Sequence, residues 1–123
     1  MLKEDWLQRQ MKALSELIGR VAALLRDGQP RQAMEIVRDE GTRVLGADPS
    51  VLAVVDERTV FVLLGDDPRR VARYGALLSL EADVLEAGAV EGSAEAERAL
   101  RLRSRAASLT TAAQQRAERD EQR

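Results

Sequence analysis

The chain has 123 residues and a mass of 13.6 kDa, enough for one domain with a core of its own. Apolar residues make up 45% and charged residues 33%, a balance that fits neither a disordered chain nor a membrane protein. Cys and His are absent and the net charge is −2, which excludes a disulfide scaffold, Cys or His metal sites, thiolate or imidazole catalysis, and nucleic-acid binding through a uniformly basic surface.

Residues 3–27 read as a long amphipathic helix. Leu7, Met11, Leu14, Ile18, Val21 and Leu25 recur at steps of four and three, which holds them on one face. Trp6, Leu17 and Leu24 widen that face. Gly28 ends the helix, because glycine takes the left-handed conformation without a Cβ clash. Pro30 suits the first turn of the next helix, where its missing N–H is no loss. That second helix reaches about Leu45, with Ala33, Val37, Gly41 and Val44 as its stripe. A connection this short folds the two helices back on each other as a hairpin.

Residues 50–65 carry two signals. Ser50 can cap a short helix, and the run at 59–64 is β-branched and apolar, as a strand would be. No second run of this kind offers a pairing partner, so helix is expected, with Asp56 as its cap and Val60, Leu63 and Leu64 buried. Asp67 and Pro68 then start a fourth helix that runs to about Ala87, with Val71, Tyr74, Leu78, Ala82 and Leu85 inward. Ser93 starts a fifth, where Glu95 and Glu97 favour the positive end of the helix dipole. Its large anchors are only Leu100, Leu102 and Leu109. Residues 1–109 are thus expected to form a single helical domain, and 110–123 a polar tail, helix-prone or disordered, with little to bury. The fold class is all-α, with about five antiparallel helices.

Gly28, a very short turn and the small Ala33 five residues on resemble the inter-helix turn of tetratricopeptide repeats. Glycine permits the turn and alanine lets the helix axes approach. The later glycines Gly65 and Gly88 follow no constant period, so the resemblance implies a tetratricopeptide-like stack and not a regular array. To about Leu109 the chain also resembles a family of small uncharacterised bacterial proteins. The resemblance rests on the opening Lys3, Asp5, Trp6, Leu7 and Arg9, on the break Leu45, Gly46, Ala47, Asp48, and on the turn from Leu63 to Asp66. It implies the helical fold and carries no activity.

Several side-chain clusters fit either recognition or plain structure. Asp5, Trp6, Arg9 and Gln10 make an aromatic anchor beside a guanidinium, as a peptide or carboxylate site has. The same residues equally start a helix, with Trp6 closing the end of the core. Arg98, Arg101 and Arg105 share one face of the fifth helix and can hold an acidic partner or phosphates; a solvated face with Glu97 and Arg101 paired is the preferred reading. Arg69, Arg70 and Arg73 stand at a helix N-terminus, the unfavourable end for cations, beside Asp66 and Asp67. The acid pairs Asp56/Glu57 and Asp66/Asp67 fit caps better than metal ligands. Phosphate-binding glycine motifs are missing.

The expected function is therefore a non-catalytic protein–protein interaction module, an adaptor or scaffold without a cofactor. Its partner is another protein or a second copy of the chain, and its contacts come from Trp6, Arg9, Arg69, Arg73, Arg98, Arg101 and Arg105. The alternative is a nucleic-acid or nucleotide binder that uses the arginine rows of the fourth and fifth helices, disfavoured because stacking aromatics are scarce. The N-terminal charges leave no room for a secretory leader, and no apolar run approaches the ~20 residues of a membrane helix, so a cytoplasmic location is expected.

Overall fold

The structure is a computed structural model that describes residues 2–122, with side chains from Asp5 to Gln122; Met1 and Arg123 lie outside the described residues. It contains α1 (Leu2–Arg26), α2 (Pro30–Leu45), α3 (Pro49–Leu52), α4 (Glu57–Leu63), α5 (Pro68–Gly88) and α6 (Ala94–Glu121), and no strand among the described residues. The all-α class holds, with six helices in place of about five.

The extra helix comes from residues 50–65. The carboxylate of Asp48, not the Ser50 hydroxyl, caps α3 by accepting from the Ser50 N–H at 2.9 Å. Asp56 caps α4 by accepting from the Thr59 N–H at 2.8 Å. These bonds favour the charged form and hold both carboxyls below their usual range. On α4, Val60, Phe61 and the following Leu64 are buried, while Leu63 is exposed. A helix places 60, 61 and 64 on one side and turns 63 away.

The four long helices follow one another antiparallel. Gly28 in the left-handed region (φ 71°) turns α1 into α2, and Glu40 joins the two helices by accepting from Arg20 at 2.9 Å. α2 lies against α5, so that Pro30 nears Gly88 at one end and Leu45 nears Arg70 at the other. Consequently α1 and α5 run parallel, side by side. α5 makes its most extensive contact with α6. Their closest approach is at Gly75, where a Cβ would stand 2.7 Å from the Thr110 Oγ1 and 3.4 Å from the Ala106 carbonyl oxygen.

The core joins Leu17 and Val21 of α1, Ala33, Val37 and Val44 of α2, Leu52, Val60, Phe61 and Leu64 of the short segment, Val71, Tyr74, Leu77 and Leu78 of α5, and Ala106, Leu109 and Ala113 of α6. The stretch read as a polar tail continues α6 to Glu121, and Ala113 within it is buried. Small alanines let α6 lie close to its neighbours, and the Arg116 guanidinium covers the Phe61 ring of α4 at 5.8 Å.

Gly75→Ala is expected to lower the thermal midpoint through the clash with Thr110. Adding Thr110→Ala should restore it, because alanine is the better helix former by about 1 kcal/mol once there is room. Calorimetry of the two variants checks this; a single variant as stable as the parent would refute the close approach.

Candidate interaction groove

Two clusters that are far apart in sequence meet at one corner. The start of α1 supplies Trp6 and Gln10, the start of α5 supplies Arg70 and Arg73, and the end of α2 supplies Leu45 and Gly46. The Arg70 guanidinium lies over the Trp6 ring at 5.4 Å and donates to the Leu45 carbonyl at 3.1 Å. Gly46 (φ 69°) ends α2 against this group, and a Cβ there would stand 3.3 Å from both the Trp6 ring and the Gln10 amide. Trp6 remains 38% exposed, so it closes the corner without entering the core.

From this corner an open groove of about 610 Å³ runs between the parallel α1 and α5. Leu7, Met11 and Leu14 line it from α1, Ala72 and Ala76 from α5, and Gln8, Arg69 and Arg73 complete it. No carboxylate lines it among the described side chains. The expected apolar stripe of α1 is thereby split. Leu17 and Val21 are in the core, whereas Met11 is 61% and Ile18 42% exposed. Successive steps of three and four span a width that two neighbours share: the core takes 17 and 21, and the groove takes 7, 11 and 14.

Arg73 is the unusual member. It was expected to meet a partner from the surface, yet it is only 4% exposed. Its one hydrogen bond among the described residues is to the Gln10 Oε1, a neutral acceptor that is itself buried. Burial pushes the guanidinium pKa down, Asp67 opposes that shift, and Arg70 and Arg69 add to it. Arg69 at the groove is exposed, and donates to the Asp67 cap of its own helix at 3.4 Å. Arg9 is exposed and donates to the Asp5 carbonyl oxygen one turn back, at 3.4 Å.

The arginines of α6 that share a face by spacing are mostly engaged within the fold. Arg98 pairs with Glu81 at 3.2 Å. Arg103 bridges Asp83 at 2.6 Å and Glu86 at 2.7 Å, and this fork pulls the Glu86 carboxyl below its usual range. Arg105 turns inward, donating to the carbonyls of Leu52 at 2.7 Å, Ala53 at 2.8 Å and Val55 at 2.7 Å. Those carbonyls are left without helical partners at the end of α3, and one planar fork satisfies all three. Arg101 is exposed and makes no ion pair among the described residues, with Glu97 or otherwise.

A second, narrower groove of about 410 Å³ lies between α2, α3, α5 and α6, with Val37, Leu77, Leu78 and Leu102 in its lining and the Glu81–Arg98 pair beside them. Tyr74 also lines it. Burial raises the Tyr74 hydroxyl pKa, and the hydroxyl has no hydrogen-bond partner among the described residues. No three acidic side chains converge as metal ligands among the described residues, and none of their helices is long and apolar enough to cross a membrane. Comparison with family models, with curated proteins and with solved structures finds no match for this chain.

Two outcomes follow from this geometry. Arg105→Lys, which loses the fork, is expected to cost about 1–3 kcal/mol in urea denaturation, whereas Arg101→Ala leaves the midpoint unchanged; equal effects would refute the capping role. For the α1–α5 link, Arg73→Met and Gln10→Leu each strand a buried polar group and should each cost about 1–3 kcal/mol, while the double variant recovers most of the loss because an apolar pair can replace a buried polar one. Strict additivity in the same measurement would show that the two side chains are not coupled.

Proposed function

We propose that the chain is a non-catalytic interaction module whose α1–α5 groove receives a helical segment of a partner protein. The observation that carries this reading is the exposure of Met11 beside half-buried Leu14 and the small Ala72 and Ala76. An apolar trough floored by alanines and walled by long side chains suits an amphipathic helix, which lays its own apolar row between two others. The order of packing supports the tetratricopeptide-like reading: two hairpins in succession, with the first helix of each side by side. In such a stack the paired first helices form the inner surface, which here is the groove. A cysteine-free sequence agrees with a reducing compartment such as the cytoplasm.

The engagement of Arg98, Arg103 and Arg105 within the fold favours protein over nucleic acid as the partner class. These cations already have carboxylate or carbonyl partners and offer no continuous track to a phosphate backbone.

A photo-crosslinking amino acid at position 11, in the native cell, should give a discrete adduct with one protein, and the same group at the exposed Asp39 of α2 should give none. Met11→Asp should remove the partner from affinity purification while leaving the thermal midpoint within a few degrees. Burying one methionine contributes about 1.5–3 kcal/mol, so a loss of affinity of about tenfold or more is expected. A partner that is retained by Met11→Asp would refute the groove as the binding surface.

A further inference from the structure

We infer that the α1–α5 groove selects an amphipathic helix carrying an acidic side chain, which Arg73 receives within the groove with Arg69 as the outer contact. This rests on the groove reading above and specifies the chemistry of its occupant.

The argument starts from Arg73. A guanidinium has five N–H donors and a charge it cannot shed, and buried charges are ordinarily paired. Among the described residues Arg73 is nine-tenths buried, bonds only to the amide oxygen of Gln10, and forms no ion pair. Asp67, whose charge acts on Arg73, is engaged as the cap of α5 by the Arg69 N–H at 2.9 Å. Among the other half-buried arginines, Arg103 meets two carboxylates, Arg105 three carbonyls, and Arg116 Asp66 and Asp120, while Arg70 forms no ion pair among the described residues and its Nε is buried without a hydrogen-bond partner there. Arg70 has a carbonyl and an aromatic face. Arg73 lines an apolar groove together with Arg69, and no acid stands among the groove's described side chains.

A partner helix that filled this groove would exclude water from Arg73. With a neutral flank, that would deepen the cost of a desolvated, unpaired cation. With an Asp or Glu at the matching position, it would close a bidentate pair in a low-dielectric setting, where such pairs discriminate strongly against the wrong partner. The groove therefore sets specificity by charge at one point and affinity by apolar contact along its length.

The test is a display selection on the intact chain, using a library of amphipathic helices of about 18 residues, long enough to follow the groove. The apolar face is held as Leu and Ala and the flanks are randomised, with Met11→Asp as the counter-selecting bait. Recovered helices should share an Asp or Glu at one flanking position. Changing it to Gln should weaken binding to the parent chain about tenfold, and binding to Arg73→Met by less than about twofold. Arg69→Met, at the exposed rim, folds regardless of the core and should reduce the preference for the acid without removing it.

Helices recovered with neutral flanks, or a Glu→Gln loss equal on parent and Arg73→Met, would overturn the acidic preference and leave the groove reading standing. Failure to recover any helix that depends on Met11 would overturn both. A dimer by light scattering that Met11→Asp dissociates would place a second copy of the chain in the groove and overturn the inference.

Discussion

α5 carries apolar side chains around nearly its whole circumference. Val71, Tyr74, Leu77, Leu78, Leu80, Ala82 and Val84 are all buried and span more than half of its circumference, and Ala72 and Ala76 add an apolar row on the remaining side. Such a helix gives little of its surface to water beyond Arg69, Asp83 and Glu86, so the other elements are laid around it. α6 covers one side through the contact at Gly75, α2 covers another, and the short α4 packs beside them at Val60 and Phe61. What remains is the row of Ala72 and Ala76. α1 lies next to this row and only partly over it. The groove is thus the part of this helix's apolar surface that its neighbours leave uncovered.

The arginines explain how so small a core closes. The chain has 17 Arg against 2 Lys, and the distinction matters because a planar fork can serve several acceptors at once. Arg105 gathers the free carbonyls after α3 and ties that irregular segment to α6. Arg70 does the same for the end of α2 while its flat face lies on Trp6. Arg116 lies on Phe61 and joins α6 to α4. Where helices are short and large apolar residues few, these side chains combine packing area with hydrogen bonding.

The hairpins were legible in the sequence because their signals are local. Gly28, Pro30, Asp67, Pro68 and Ser93 mark turns and helix starts whatever the rest of the chain does. The segment 50–65 was legible as helix from the lack of a second strand-like run, yet its division in two was not. That division follows from two caps, Asp48 and Asp56, and from three carbonyls that a residue 50 positions away satisfies. The burial of Ala113 was hidden for a related reason, since an alanine is core or surface only according to what lies opposite. Spacing also could not tell that the row of α1 serves two neighbours. Least legible was the corner: Trp6 and Gln10 were visible as one cluster and Arg70 and Arg73 as another, and nothing in a linear reading brings position 10 to position 73.

Gln10 and Arg73 show why that corner is the place where the fold departs from its own rules. A leucine at position 10 and a methionine at position 73 would fill the same space without a desolvated charge. Many local choices agree with the global structure, with glycines at most left-handed turns, acids at helix starts and alanines at close crossings, and the exceptions include the unpartnered Tyr74 hydroxyl and Arg70 Nε. A single buried polar pair with the charge left unmet is the kind of exception that accompanies a functional constraint. Gln10 holds the guanidinium in place by one bond and leaves the rest of the fork to the groove. An acidic partner would meet a cation already oriented and already stripped of much of its water, so little ordering would remain to be done on binding.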